Sequence, residues 1–169
     1  MDGVIHTLLA EHGVSVVGHV PDAGHTALIG RCERDPGMHV VTLTTEEEGI
    51  ALAAGAWLGG ARSAILMQSS GVGNCCNLLG LPRILAGPLV LLVTMRGEWG
   101  EENPWQLPAG QAVPDLLRTC GVRVHRADHA DDVAPSVTSA LALAYASNDR
   151  VAVLLGQRLL GAKAFEEAS

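Results

Sequence analysis

Three consecutive glutamates stand at the start of a predicted helix that is otherwise built from small and apolar residues. They are Glu46, Glu47 and Glu48, and the segment 49–57 follows them. Residues 39–43 predict a short strand, so the acids fall on a strand-to-helix turn. Active sites of α/β folds lie at such turns, where a carboxylate can act as a general acid or base.

The three acids have different structural explanations. Thr45 and Glu48 have the spacing of a capping box, and Thr44 and Glu47 could form the same motif one residue earlier. All three acids also favour the positive end of a helix dipole, which is the alternative without chemistry. Glu46 differs because it shares a helical stripe that is predicted to be packed, and a carboxylate there costs several kcal/mol unless it has a partner. The other members of the stripe are Gly49, Ile50, Ala53 and Trp57.

A second polar segment, Gln68-Ser69-Ser70-Gly71-Val72-Gly73-Asn74, follows the predicted strand 63–67. Its amides and hydroxyls could hold an anion or a polar heterocycle at the start of the next helix, which is predicted to continue to about Leu85. No lysine follows, so it is not a Walker loop, and it lacks the third glycine of a dinucleotide fingerprint. The alternative is a turn that binds no ligand.

Two more turns with polar residues end strands of the predicted sheet. Pro21-Asp22 ends the first strand, and Arg96 follows the strand 88–94. Four such turns at one sheet edge predict a crevice. Arg96 could bind a carboxylate or an acidic substrate tail there, or it could pair with a neighbouring glutamate, namely Glu98, Glu101 or Glu102.

The seven histidines and four cysteines show no metal-site spacing. His19 and His25 alone flank the predicted crevice, and a catalytic role for either stays open beside a structural one. The cysteines lack a CxxC motif, which predicts reduced thiols that serve as small packing residues.

Composition limits the functional class. Only 17% of the 169 residues are charged, below the usual value of about 25%, and the mean hydropathy is positive. We therefore expect a large subunit interface. The formal net charge of -7, without a basic cluster, argues against nucleic acids and anionic membranes as partners. The sequence opens without a basic targeting segment and contains no apolar run that could span a bilayer, so a cytosolic location is expected.

Strands and helices alternate along the chain, and the strands are almost continuously apolar. The pattern predicts an α/β fold: one three-layer domain over residues 1–161 with a six-stranded, mainly parallel sheet, and a flexible tail over 162–169. An irregular segment from Met95 to Ala112 is longer than an ordinary connection and is predicted to be functional, with a helix starting at Pro114.

Taken together, these motifs resemble the pyrimidine-binding domain of thiamine-diphosphate-dependent 2-oxo acid decarboxylases. In that family a glutamate precedes a glycine by nine residues, as Glu46 precedes Gly55 here. The segment 67–74, with Asn77 one turn later, is similar to the family's M-Q-x-S-G-x-G-N-x-x-N, and 96–98 to its R-G-E loop. The likeness is strongest to the two-subunit sulfopyruvate decarboxylases and to phosphonopyruvate decarboxylases.

The resemblance implies a role for each motif. Glu46 would be the catalytic carboxylate, placed against the pyrimidine ring of thiamine diphosphate so that the ring's amino group becomes a base. The implied cofactor-binding residues are Glu46, Gln68, Ser70, Gly71, Gly73 and Asn74. The implied substrate-binding residues are Pro21, Asp22, His25, Arg96 and Gln106. The substrate would be a 2-oxo acid with an acidic tail, such as 3-sulfopyruvate or 3-phosphonopyruvate, cleaved to an aldehyde and carbon dioxide.

The chain departs from the family in one important respect. It contains no GDG followed about 25 residues later by asparagine, so the resemblance implies that a second subunit binds Mg²⁺ and the diphosphate. Thr45 also replaces the histidine that often precedes the catalytic glutamate. The expected assembly is a hetero-oligomer with paired α and β chains. A carboligase subunit and a non-catalytic α/β ligand-binding module are the alternatives.

Overall fold

The computed structural model describes residues 1–161 of the chain. The predicted tail, 162–169, lies outside the described residues. Helices and strands alternate in the order α1 Asp2–Glu11, β1 Val14–His19, α2 Thr26–Glu33, β2 His39–Thr42, α3 Glu46–Leu58, β3 Arg62–Gln68, α4 Ser69–Val72, α5 Gly80–Ile84, β4 Leu89–Thr94, α6 Gln106–Thr119, β5 Arg123–Ala127, α7 Ala130–Ser147, β6 Arg150–Leu155 and α8 Gln157–Leu160.

The six strands form one parallel sheet in the order β2-β1-β3-β4-β6-β5. The predicted fold class is confirmed. Every strand therefore ends at the same edge of the sheet, and the turns after β1, β2, β3 and β4 are brought together there. The reversal of strand order between β1 and β3 opens the crevice expected at such a point.

Side chains of the central strands alternate between two apolar layers. Leu66 and Leu92 face α1, α2 and α7, whereas Ile65, Met67 and Leu91 face α3 and α6. Both faces of the sheet are thus covered, which explains why the strands are apolar at successive positions.

Helix α3 lies unusually close to the sheet, and glycine makes this approach possible. A Cβ on Gly49 would lie 2.6 Å from Ile65 Cγ2, and one on Gly18 would lie 2.8 Å from Leu52 Cδ2. This contact fixes the first turn of α3, and with it Glu46, above the end of β3.

Two predicted element boundaries are wrong. Helix α6 begins at Gln106 and contains Pro114, whereas the sequence predicted irregular chain up to Ala112. Pro108 occupies the first turn of α6, where its missing N–H costs nothing, so it does not delay the helix. The single helix predicted up to about Leu85 is instead divided into α4, a 3₁₀ turn Gly73–Cys75 and α5.

Candidate active site

Glu46 is the first residue of α3 and lies against the loop that follows β3. Its side chain is so close to Gly71 that a Cβ there would lie 2.1 Å from Glu46 Cδ. Asn74 Nδ2 donates a hydrogen bond of 2.9 Å to Glu46 Oε2. The carboxylate is partly exposed at the sheet edge, where a ligand can reach it. The structure thus brings Glu46, Gly71 and Asn74 together.

The neighbouring glutamates have other roles. Glu48 completes the predicted capping box with Thr45, and its Oε2 accepts hydrogen bonds from the backbone N–H of Thr44 at 2.7 Å and of Thr45 at 3.4 Å. Thr44 therefore does not cap the helix with Glu47. Glu47 Oε2 is buried and accepts no hydrogen bond from any residue that the structure describes. Of the three acids, Glu46 is the one that accepts a hydrogen bond from the described residues of the β3 loop.

The β3 loop is a compact helical turn, and buried groups support it from below. The buried Ser69 accepts a hydrogen bond of 3.0 Å from Arg96 N, which joins this loop to the end of β4. Gln68 Nε2 donates to Ser70 Oγ at 2.7 Å, and Gly73 and Asn74 are exposed. Cys75 is enclosed beneath Glu46, and burial raises the pKa of its thiol to about 12. Cys75 therefore remains a protonated packing residue.

A cavity of about 190 Å³ lies between the ends of β1 and β4. Asp22, Gly24, Thr94 and Arg96 are among the residues that line it. Thr94 Oγ1 donates a hydrogen bond of 2.6 Å to Asp22 Oδ2, so the carboxylate of Asp22 is held at the cavity wall. Two of the predicted substrate residues, Asp22 and Arg96, therefore share one cavity.

The other predicted substrate residues lie elsewhere. Pro21 is exposed beside a more open cavity, which His19 also lines. Gln106 begins α6, and its backbone oxygen packs closely on Gly97. His25 is completely buried. The prediction that His25 contacts the substrate directly is therefore wrong, because no atom of its ring is accessible.

His25 instead lies in the interior, where it is bonded to the backbone of β4. Its Nε2–H donates a hydrogen bond of 3.1 Å to Leu92 O, which leaves Nδ1 as the unprotonated ring nitrogen. Burial lowers the pKa of His25 from its ordinary value, so the ring is neutral. Burial also lowers the pKa of His19, whose Nε2 lies 3.2 Å from Thr42 Oγ1.

Arg96 forms an ion pair with Glu101, one of the three neighbouring glutamates that the sequence offered as its partner. Arg96 Nε lies 2.7 Å from Glu101 Oε2, and Nη2 lies 2.5 Å from Oε1, so the pair is bidentate. These hydrogen bonds are the main cause that lowers the pKa of Glu101 to about 2. Thr94 was not predicted as a part of the site, because it is recognisable only by its contact with Asp22, 72 residues away in the chain.

The pKa of Glu101 predicts a stability effect in acid. Because its pKa falls from 4.5 to about 2 on folding, the unfolded chain binds more protons between these values, and stability is lost as pH falls through that window. Thermal unfolding should therefore show the Tm advantage of the wild type over Glu101→Gln shrinking between pH 4.5 and 2. An equal Tm difference at pH 6 and pH 2.5 would contradict this assignment.

The described residues contain no group of three His, Cys, Asp or Glu side chains placed to hold a metal ion. Nor does this part of the chain contain a helix long and apolar enough to cross a membrane.

Comparisons with known proteins extend these observations. No protein-family model matches the chain. It is 31% identical over 152 residues to sulfopyruvate decarboxylase subunit alpha of Methanococcus maripaludis, covering 89% of this chain and 91% of that protein. The subunit alpha of Methanocaldococcus jannaschii is 32% identical over 72% of this chain and 73% of its own length. Phosphonopyruvate decarboxylase of Streptomyces viridochromogenes is 41% identical over 110 residues, 64% of this chain and 28% of that enzyme.

Two solved structures share the fold. A 2-oxoglutarate:ferredoxin oxidoreductase from Magnetococcus marinus superposes with a TM-score of 0.74 at 18% identity, covering 94% of this chain. A candidate thiamin diphosphate-dependent enzyme from Mycobacterium smegmatis gives 0.71 at 19% identity over 99% of this chain. This chain spans 29% of the first structure and 34% of the second, so it corresponds to about one third of each.

Proposed function

Because this chain belongs to the family of sulfopyruvate decarboxylase alpha subunits, we propose that it provides the pyrimidine-binding half of a thiamine-diphosphate-dependent decarboxylase active site. The single observation that carries the proposal is the contact of Glu46 with Gly71 and Asn74. A carboxylate held at that sheet edge is of little use to a module that only binds a partner. The free cysteines among the described residues support a reducing, cytosolic location.

The residues present fit the pyrimidine end of the cofactor. The missing Cβ of Gly71 allows the Glu46 carboxylate to lie flat against the β3 loop, and Asn74 orients it. When bound, thiamine diphosphate supplies the electron sink that decarboxylation of a 2-oxo acid requires. Glu46 would hold a proton at a ring nitrogen of the pyrimidine, which makes the neighbouring amino group a base. Gln68, Ser70 and Gly73 would line the same ring.

We further propose that the partner subunit binds the diphosphate through Mg²⁺. The names of the relatives as alpha subunits support the existence of a partner. The chain's own contribution to cofactor affinity would then be small, because a diphosphate and its metal carry most of the charge by which such a ligand is held. The assembly would be a hetero-oligomer in which each site is completed by both kinds of chain.

Reconstitution tests this proposal. We expect the purified chain alone to release no carbon dioxide from 3-sulfopyruvate and to bind thiamine diphosphate weakly. Addition of the partner subunit, together with Mg²⁺, should produce decarboxylation that saturates at a fixed subunit ratio. Rapid turnover by the isolated chain would contradict the proposal, as would an inactive but correctly assembled complex.

The substrate is proposed to be a 2-oxo acid with an acidic tail, with Asp22 and Arg96 at the cavity that receives it. The sulfonate of 3-sulfopyruvate and the phosphonate of 3-phosphonopyruvate both offer two oxygens to a guanidinium. The names of the relatives support both substrates. Pro21 lines the neighbouring, more open cavity and Gln106 packs on Gly97, so neither is proposed to contact the acidic tail.

Arg96→Lys tests the tail contact. Lysine keeps the charge but loses the planar fork, so both the bond to Glu101 and the contact with an oxyanion should weaken. We expect KM for the 2-oxo acid to rise about 10-fold, the size of one lost charge-assisted hydrogen bond, with a smaller change in kcat. Steady-state kinetics with 3-sulfopyruvate and with pyruvate separate the two effects, because pyruvate has no acidic tail. An unchanged KM for both would assign Arg96 a structural role.

A further inference from the structure

A buried polar cluster lies behind the Arg96 side of the cavity. Its centre is Glu101, whose side chain is 1% exposed. Besides the two hydrogen bonds from Arg96, Glu101 accepts hydrogen bonds from the backbone N–H of Gly97 at 3.1 Å and of Asn103 at 3.0 Å, and from Gln157 Nε2 at 3.0 Å. The five hydrogen bonds compensate the carboxylate for its removal from water.

Gln157 joins this cluster from a distant part of the chain. It is the first residue of α8, separated from β6 by Gly156 alone, and is 1% exposed. While its Nε2 donates to Glu101, its Oε1 accepts from the backbone N–H of Glu98 at 2.9 Å and of Trp99 at 3.0 Å. One amide side chain thus fixes both the backbone of the loop after β4 and the carboxylate that binds Arg96.

The geometry of the Arg96 pair decides which side of the guanidinium faces a ligand. Glu101 takes the edge formed by Nε and Nη2. The edge formed by Nη1 and Nη2 is then the one with which Arg96 can make a second bidentate contact. Arg96 is 14% exposed, and it lines the cavity that also contains Asp22. Rotation about its terminal torsions would break two short hydrogen bonds to Glu101.

We propose that Glu101 and Gln157 are positioning residues that hold the guanidinium of Arg96 in the orientation needed to bind the acidic tail of the substrate. This inference rests on the proposed function, because it gives the Arg96 contact its geometric basis. A hydrogen-bond network that only stabilised the loop after β4 would change the free energy of unfolding. It would not change the effect that substitution of Arg96 has on KM.

Two variants in the assembled complex test the proposal. Gln157→Glu keeps an acceptor for the backbone amides of Glu98 and Trp99. It removes the N–H that donates a hydrogen bond to Glu101 and places a second negative charge beside that carboxylate. Glu101→Gln removes the charge that binds Arg96. For each we expect KM for 3-sulfopyruvate to rise about 10-fold, with kcat changed less than about 3-fold. Asp115→Asn is the matched control, because it breaks an ion pair that is exposed at the surface.

The double-variant cycle separates positioning from structure. In an Arg96→Lys background, Glu101→Gln and Gln157→Glu should each change KM less than about 2-fold, because the residue through which they act is already altered. Equal effects on KM in both backgrounds would overturn the proposal. So would a lowered Tm with unchanged KM in the single variants.

A spectroscopic measurement is independent of turnover. With only this chain ¹⁵N-labelled in the complex, the Arg96 Nε–H signal should be sharp and slow to exchange, and Gln157→Glu should broaden it or accelerate its exchange at least 10-fold. An unaffected signal would overturn the positioning role even if the complex were inactive on 3-sulfopyruvate. An inactive wild-type complex with a perturbed Arg96 signal would instead refute the proposed function and retain the positioning role.

Discussion

Glu46→Gln in the assembled complex is expected to lower decarboxylation by at least about 10²-fold, the loss typical of a missing acid–base contact. Glutamine keeps the shape of the side chain and can still accept a hydrogen bond from Asn74. It lacks the negative charge that holds a proton on the pyrimidine ring. Folding and subunit assembly should persist, since Glu46 is partly exposed and is hydrogen-bonded to a single side chain among the described residues.

Glu48→Gln is the control for this result. Glu48 stands two residues further along the same helix turn and accepts hydrogen bonds from the backbone of Thr44 and Thr45. Glutamine completes a capping box as well, so activity should remain within about 2-fold of the wild type. Comparable losses in the two variants would show that the helix terminus, and not one carboxylate, is the sensitive element.

Gly71→Ala is expected to produce a loss of similar size although it replaces no catalytic group. The new Cβ would lie 2.1 Å from Glu46 Cδ and 2.2 Å from Oε1, so the glutamate side chain must move. The obstacle is a flexible side chain, and the chain can therefore fold with Glu46 displaced. A displacement of about 1 Å can cost about 10²-fold in rate. Activity should fall accordingly, whereas Tm should change by only a few degrees.

Gly80→Ala provides the matched control. Gly80 begins α5 on the same face of the sheet, and a Cβ there would have no atom within 4 Å. Its kinetics and Tm should equal those of the wild type. Full activity of Gly71→Ala would mean that the contact between Glu46 and the β3 loop has no catalytic consequence.

The sequence predicts the architecture well because the strands are nearly continuous apolar runs. The alternation of strands and helices and the six-stranded parallel sheet agree with the pattern. The sequence places the start of α6 at Pro114, eight residues later than its observed start at Gln106, because the preceding segment is rich in Gly, Pro and Glu and has no clear helical pattern. Proline in the first turn is compatible with a helix, and packing of Gly110 on the backbone of Arg96 holds the rest of α6 in place.

The sequence predicts only a part of the candidate site, namely the part that lies at strand ends. Glu46, the β3 loop and Arg96 follow strand ends, and strand ends of a parallel sheet meet at one edge, so their proximity follows from the element pattern. Glu101 was one of three neighbouring glutamates offered as a partner for Arg96, whereas Thr94 and Gln157 act through partners 72 and 56 residues away in the chain. No local spacing records such contacts. The burial of His25 was likewise missed, because a histidine after a strand end is equally compatible with a surface and with a core position.

The most direct test of the account is the rate at which the C2 proton of thiamine diphosphate exchanges with deuterium in the assembled complex, measured by quenching and proton NMR. We predict fast exchange in the wild type and in Glu48→Gln, and exchange at least about 10²-fold slower in Glu46→Gln. The partner subunit alone should exchange as slowly as the Glu46→Gln complex. Fast exchange in Glu46→Gln, or by the partner without this chain, would contradict the assignment of Glu46 as the catalytic carboxylate.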